Sequence, residues 1–205
     1  MGQRLTRHRR RYLLLVIAAL PFLWQFNISS SMAQDLGWDI GRLMEMLAQN
    51  KGGTATFTEK KYLAMLDAPL ESSGELLYLA PNRVEKRTLK PKPESLVLDG
   101  HTLIMARGSK KRTVQLQDYP QIAVFVESIR GTLAGDRHAL EQQYQLQLDG
   151  TAARWTLRLS PKDKHMTDFV SEIHVRGDHG EVRSIEIVQT DGDRSVMDIV
   201  KSATP

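Results

Sequence analysis

The sequence predicts a mainly β (α+β) domain built on a single antiparallel, curved sheet of about ten or eleven strands. Two observations carry this. Short β-branched and aromatic runs closed by Gly, Pro, Asn and Asp recur at meander spacing along most of the chain, and helical periodicity is confined to two stretches. A sheet made of that many consecutive hairpins curls or closes into a barrel-like surface.

The first helical stretch starts at Asp39, a favourable N-cap, and repeats Ile40, Leu43, Met44 and Leu47 at helical spacing before Asn50 and Gly52-Gly53 end it. The second runs from about Pro120 to Gln143. It carries Ile122, Phe125, Val126, Ile129 and Leu133, reads as broken at Gly131 and Gly135, and restarts with Asp136 as a cap. Between them lie candidate strands at 54–63, 74–79, 84–89, 95–98, 102–105 and 110–116. Asp99-Gly100, between two apolar runs, is a strong hairpin signal. Further strands follow at 144–148, ending at Asp149-Gly150, and at 155–159, 169–175, 182–189 and 195–200.

The residues before Asp35 read as an export leader. Arg4, Arg7, Arg9, Arg10 and Arg11 form a positive start, an apolar run begins at Tyr12, and Ser31-Met32-Ala33 supplies small residues for cleavage after Ala33. The run spans about 17 residues to Ile28 and is interrupted by Pro21, which is short for a bilayer helix of ~20 residues; a retained anchor is the alternative. The expected organisation is therefore a signal peptide over 1–33 and one periplasmic domain over 34–205. Removing the five arginines of the leader from the 28 basic residues leaves 23 against 24 acidic ones, a net charge of −1. That balance gives no reason to propose a nucleic-acid partner. The absence of cysteine excludes disulfides, thiolate metal sites, a cysteine nucleophile and a lipoprotein anchor on the chain itself.

No catalytic constellation emerges. His174 and His179 lie five apart across a turn, and His101, His138 and His165 are scattered, which reads as surface histidine rather than a zinc site. Asp191-Gly192-Asp193 lacks the further acids of a calcium loop and is explained by a hairpin turn. Gly52-Gly53 precedes a strand and is no phosphate loop, and no serine sits in a nucleophile elbow. The expectation is a protein that is not an enzyme and holds neither metal nor cofactor. The covered face of the curved sheet admits two readings: an ordinary packed core, or a hollow that takes an apolar ligand.

An ordered series of motifs resembles the periplasmic outer-membrane lipoprotein carriers, the LolA-like family. After the leading helix come Phe57-Thr58-Glu59-Lys60, similar to the family's Phe-x-Gln-Lys, then Gly74-Glu75-Leu76 and Pro81-Asn82. Pro93-Glu94-Ser95-Leu96-Val97-Leu98-Asp99-Gly100-His101-Thr102-Leu103 looks like the family's strand–Asp-Gly–strand hairpin, and Trp155 to Pro161 like its strand ending in Pro. The resemblance implies an unclosed half-barrel covered by a few short helices, whose hydrophobic cavity carries acyl chains across the periplasm. It implies an acylated protein or lipid as cargo, an inner-membrane donor complex, an outer-membrane acceptor and a monomeric carrier. A non-transporting lipid-binding or sensing module of the same fold is the alternative. The residues expected to line such a cavity are Leu43 and Leu47 of the first helix, Phe57, Leu77, Leu79, Val84, Leu96, Leu98 and Leu103 of the sheet, and Phe125 and Ile129 of the cover.

Two departures point to a divergent branch. The family places an arginine directly before Pro-Asn, where it holds the lid shut; here that residue is Ala80, with Arg83 three positions later. The sequence also ends at Pro205, soon after its last strand, without the extension some carriers have. The cargo expected of such a branch is another lipid or an acylated product. The basic turn Gly108-Ser109-Lys110-Lys111-Arg112 reads as a solvated hairpin tip, with docking of an acidic partner as the alternative.

Overall fold

The computed structural model describes residues 37–202. The leader and the cleavage position after Ala33 lie outside them. Helix α1 (Ile40–Ala48) is followed by six strands: β1 (Gly52–Tyr62), β2 (Leu70–Leu79), β3 (Arg83–Lys90), β4 (Glu94–Asp99), β5 (Thr102–Arg107) and β6 (Lys110–Gln115). A 3₁₀ turn (Leu116–Asp118) leads into α2 (Pro120–Ala134) and α3 (Arg137–Gln143). Then come β7 (Tyr144–Thr151), β8 (Arg154–Pro161), the short α4 (Lys164–Thr167), β9 (Val170–Asp178), β10 (Glu181–Gln189) and β11 (Arg194–Lys201).

All eleven strands form one sheet in the order β6-β5-β4-β3-β2-β1-β11-β10-β9-β8-β7, and every pair is antiparallel. The first and last strands of the order, β6 and β7, do not pair with each other, so the sheet is an unclosed half-barrel, as expected. The β1–β11 pairing joins the two meanders, with Phe57 opposite Ile199.

Local chemistry explains the helix boundaries. Asp39 caps α1 by accepting from the Arg42 backbone N–H at 2.8 Å, and Asp136 caps α3 by accepting from Ala139 at 3.0 Å. Helix α2 runs unbroken through Gly131, contrary to the expected break. A Cβ there would lie 2.8 Å from Cδ2 of Leu140, so this glycine serves the close approach of α2 to α3. Gly135 is the true stop: its φ of 65° puts it in the left-handed region, and a Cβ would meet the Met44 carbonyl oxygen at 2.2 Å. Strand β7 continues through Asp149-Gly150, where the sequence suggests a turn, and α4 is an element the periodicity did not reveal.

The interior is packed in two clusters rather than one. The larger gathers Leu43, Met44 and Leu47 of α1 with Leu140 of α3, and with Trp155, Leu157, Leu159 and Ile173 of β8 and β9. The smaller gathers Leu98, Leu103, Val114 and Leu116, with Ile122 and Val126 of α2 laid over them. Trp155 anchors the first cluster: it is 1% exposed and donates from Nε1 to the His179 carbonyl at 2.8 Å.

Candidate functional site

Between the two clusters lies an apolar cavity of about 200 Å³. Its sheet wall on one side is Val84, Leu96, Leu98 and Leu103, which belong to the smaller cluster. On the other side stand Val182, Ile185 and Ile199, which belong to the larger one. Val126, Ile129 and Leu133 of α2 form the roof. The spacing of these three, 126, 129 and 133, puts them on one helix face.

Of the residues expected to line a cavity, Leu77, Val84, Leu96, Leu98, Leu103 and Ile129 do so. Leu43 and Leu47 instead lie buried in the larger packed cluster, and Phe125 packs against it. Phe57 is 2% exposed and sits under the Lys86 ammonium, whose Nζ is 4.8 Å from the ring centroid. Leu79, near the end of β2, is 47% exposed and does not line the cavity. Leu76 and Tyr78 also line the cavity, beyond the expected residues.

Polar groups interrupt this surface: Asn50, Thr54, Glu181 and Lys201 stand on the lining beside Tyr78 and Lys86. The Tyr78 hydroxyl is buried and, among the described residues, has no hydrogen-bond partner; burial raises its pKa. Lys86 lines the cavity and donates to Glu59 Oε2 at 2.5 Å. Glu59, 6% exposed, also accepts from Ser72 at 3.1 Å and Ser195 at 2.8 Å, with the Lys61 ammonium at 3.9 Å. Burial pushes the Glu59 pKa up. Lys86, through its charge and hydrogen bond, together with Lys61 and Ser195, outweighs that and holds the carboxyl below its ordinary value. A signal for this pair was present in the sequence: Glu59 shares the period-2 face of Phe57, and Lys86 that of Val84. Among the described residues there is no group of three or more His, Asp or Glu able to hold a metal ion, and no helix long and apolar enough to cross a membrane.

The described residues form an unclosed antiparallel half-barrel with an apolar cavity roofed by a helix. The chain belongs to the outer membrane lipoprotein carrier protein LolA-like family, whose model matches residues 31–204. It is 28% identical over 170 residues to an outer-membrane lipoprotein carrier protein of Aliivibrio fischeri, covering 78% of this chain and 76% of that one. Among solved structures it is similar to a LolA superfamily protein from Nitrosomonas europaea, with TM-score 0.44 and 11% identity over 81% of this chain and 93% of the other. It is also similar to a chain of the Pseudomonas aeruginosa MucA/MucB complex, with TM-score 0.47 and 17% identity over 82% of this chain and 59% of that one.

Proposed function

We propose that this protein is a periplasmic carrier. Delivered by its leader as a domain of residues 34–205, it takes acyl chains of lipoproteins or other lipids into the cavity and moves them from the inner towards the outer membrane. The observation that carries this reading is the hollow itself, left between two packed clusters and walled by Leu96, Leu98 and Leu103 under Ile129. An acyl chain forgoes about 0.8 kcal/mol per CH₂ when left in water, so a 16-carbon chain crosses an aqueous gap only inside an apolar container.

At about 200 Å³ the cavity is smaller than the ~300–1,000 Å³ of ordinary ligand pockets. Loading a long chain therefore requires α2 to move away from the sheet. That movement separates Val126 and Ile129 from Leu98 and Leu103 and joins the hollow to the open edge of the half-barrel.

The test is displacement of a fluorescent fatty-acid probe from the purified protein. The probe binds and palmitate displaces it, and Leu96→Asp abolishes binding while the circular dichroism spectrum stays unchanged. A protein that takes up no probe overturns the carrier reading. Transfer of bound cargo to acceptor vesicles carrying the outer-membrane partner then separates a carrier from a sensor.

A further inference from the structure

The carrier reading leaves open what kind of amphiphile the cavity holds, and the inference that follows rests on that reading. The concave face changes character along its strands. One cross-strand row, Tyr78, Val84, Leu98, Leu103 and Val114, is apolar except for the Tyr78 hydroxyl. Two residues along each strand, the next row aligns Lys86, Leu96, Met105 and Arg112. The row beyond that aligns Thr88, Glu94, Arg107 and Lys110. Apolar surface thus gives way to basic surface over a distance of about four residues, or roughly 13 Å.

The two basic rows line a second hollow of about 530 Å³. It shares Lys86 and Leu96 with the apolar cavity, so the two are continuous along one wall. Its lining holds five basic residues, Lys86, Arg107, Lys110, Lys111 and Arg112, against a single acid, Glu94. Glu94 is engaged by Arg107 at 2.9 Å, and Lys86 is engaged by Glu59. Arg112 donates only to the neutral Tyr119 hydroxyl at 2.5 Å, and Lys110 and Lys111 have no ion-pair partner among the described residues. Three positive charges are left uncompensated at the mouth of a greasy hollow. A lysine pair at a hairpin tip is ordinarily just solvated; this one stands over a groove that shares Lys86 and Leu96 with the cavity.

We propose that the cargo is an anionic amphiphile. Its acyl chain lies in the cavity between α2 and β3–β5, and its phosphate or carboxylate headgroup lies in the groove formed by Lys110, Arg112 and Arg107. Charge-assisted hydrogen bonds from this groove then add to the affinity that chain burial supplies.

The test is competition by 16-carbon amphiphiles for a neutral fluorescent acyl probe bound to the purified protein: hexadecyl phosphate, palmitate and 1-hexadecanol. The phosphate or the carboxylate competes at least about tenfold better than the alcohol, equivalent to about 1.4 kcal/mol. The advantage shrinks as salt is raised. Lys110→Glu with Arg112→Glu, and the milder Lys110→Gln with Arg112→Gln, abolish the advantage and leave hexadecanol binding unchanged, which also shows that the variants are folded. A stronger phosphate identifies a phospholipid-type head, and a stronger carboxylate a fatty-acid-type head. Equal competition by all three, or an advantage that survives both variants, overturns the anionic-cargo proposal while the carrier reading stands. Failure of hexadecanol and both anions to bind overturns both.

Discussion

The Lys86 ammonium on β3 reaches across β2 to Glu59 on β1 at 2.5 Å, placing an ion pair at the edge of the cavity. Glu59→Gln leaves this lysine without its counter-charge in a site where it is 23% exposed. The expected loss is about 2 kcal/mol, below the ~3–5 kcal/mol of a fully buried pair because Lys86 retains some solvent. Urea unfolding at pH 7 measures it.

The same pair sets a pH dependence. Glu59 is held below its ordinary pKa of about 4.5 in the folded protein, so the unfolded chain takes up the proton first as pH falls. The stabilisation is fully present above about pH 4.5 and is lost as pH falls through the folded pKa. The stability difference between wild type and Glu59→Gln therefore narrows below pH 4.5, whereas a difference constant down to pH 3 excludes this role for Glu59.

Tyr78→Phe removes a buried hydroxyl that lacks a partner among the described residues. Leaving such a group unsatisfied costs about 1–3 kcal/mol, so the empty phenylalanine variant is more stable than wild type by about 1 kcal/mol. A destabilised variant contradicts this and reveals a hydrogen bond to that hydroxyl.

Gly135→Ala places a Cβ 2.2 Å from the Met44 carbonyl oxygen at a left-handed φ of 65°. Neither α1 nor the end of α2 can yield without shifting backbone, and the expected loss is about 2 kcal/mol, or a drop in Tm of roughly 4–8 °C. An unchanged melting temperature contradicts the assignment of Gly135 as the α2 stop.

Arg130 of α2 donates from Nη1 to the Gly100 carbonyl at 3.4 Å, tying the roof of the cavity to the β4–β5 turn. It also pairs with Glu127 one turn away. The contact joins a helix of the roof to a turn of the sheet. Arg130→Ala is expected to speed release of a bound fatty-acid probe several-fold in stopped flow, with overall stability changed by less than about 1 kcal/mol. Unchanged release rates remove Arg130 from lid control.

Much of this architecture was legible because local chemistry and tertiary packing agree. Asp39 caps a helix, Asp99-Gly100 closes a hairpin, and the strands, apart from β7 running through Asp149-Gly150, follow the turn residues. The misses have physical causes. Gly131 reads as a breaker from propensity, yet its small size is used for helix–helix contact with Leu140. Leu79 reads as inward because β2 is apolar at 76–79 on both parities, so no alternation in the sequence separates the exposed Leu79 from its cavity-lining neighbours. Only parity with Phe57 and Val84 places Glu59 and Lys86 inward, against the ordinary preference of charged side chains for solvent. The basic groove needs the register of four strands, which no single stretch of sequence contains.

The measurement that bears most directly on the carrier reading is native mass spectrometry of the protein purified without detergent from a bacterial periplasm. The account predicts a bound population heavier than the bare chain by the mass of an acylated species, which organic solvent releases for identification. A single mass equal to that of the polypeptide alone, together with no uptake of a fatty-acid probe, would contradict it and leave the cavity as a packing void of the fold.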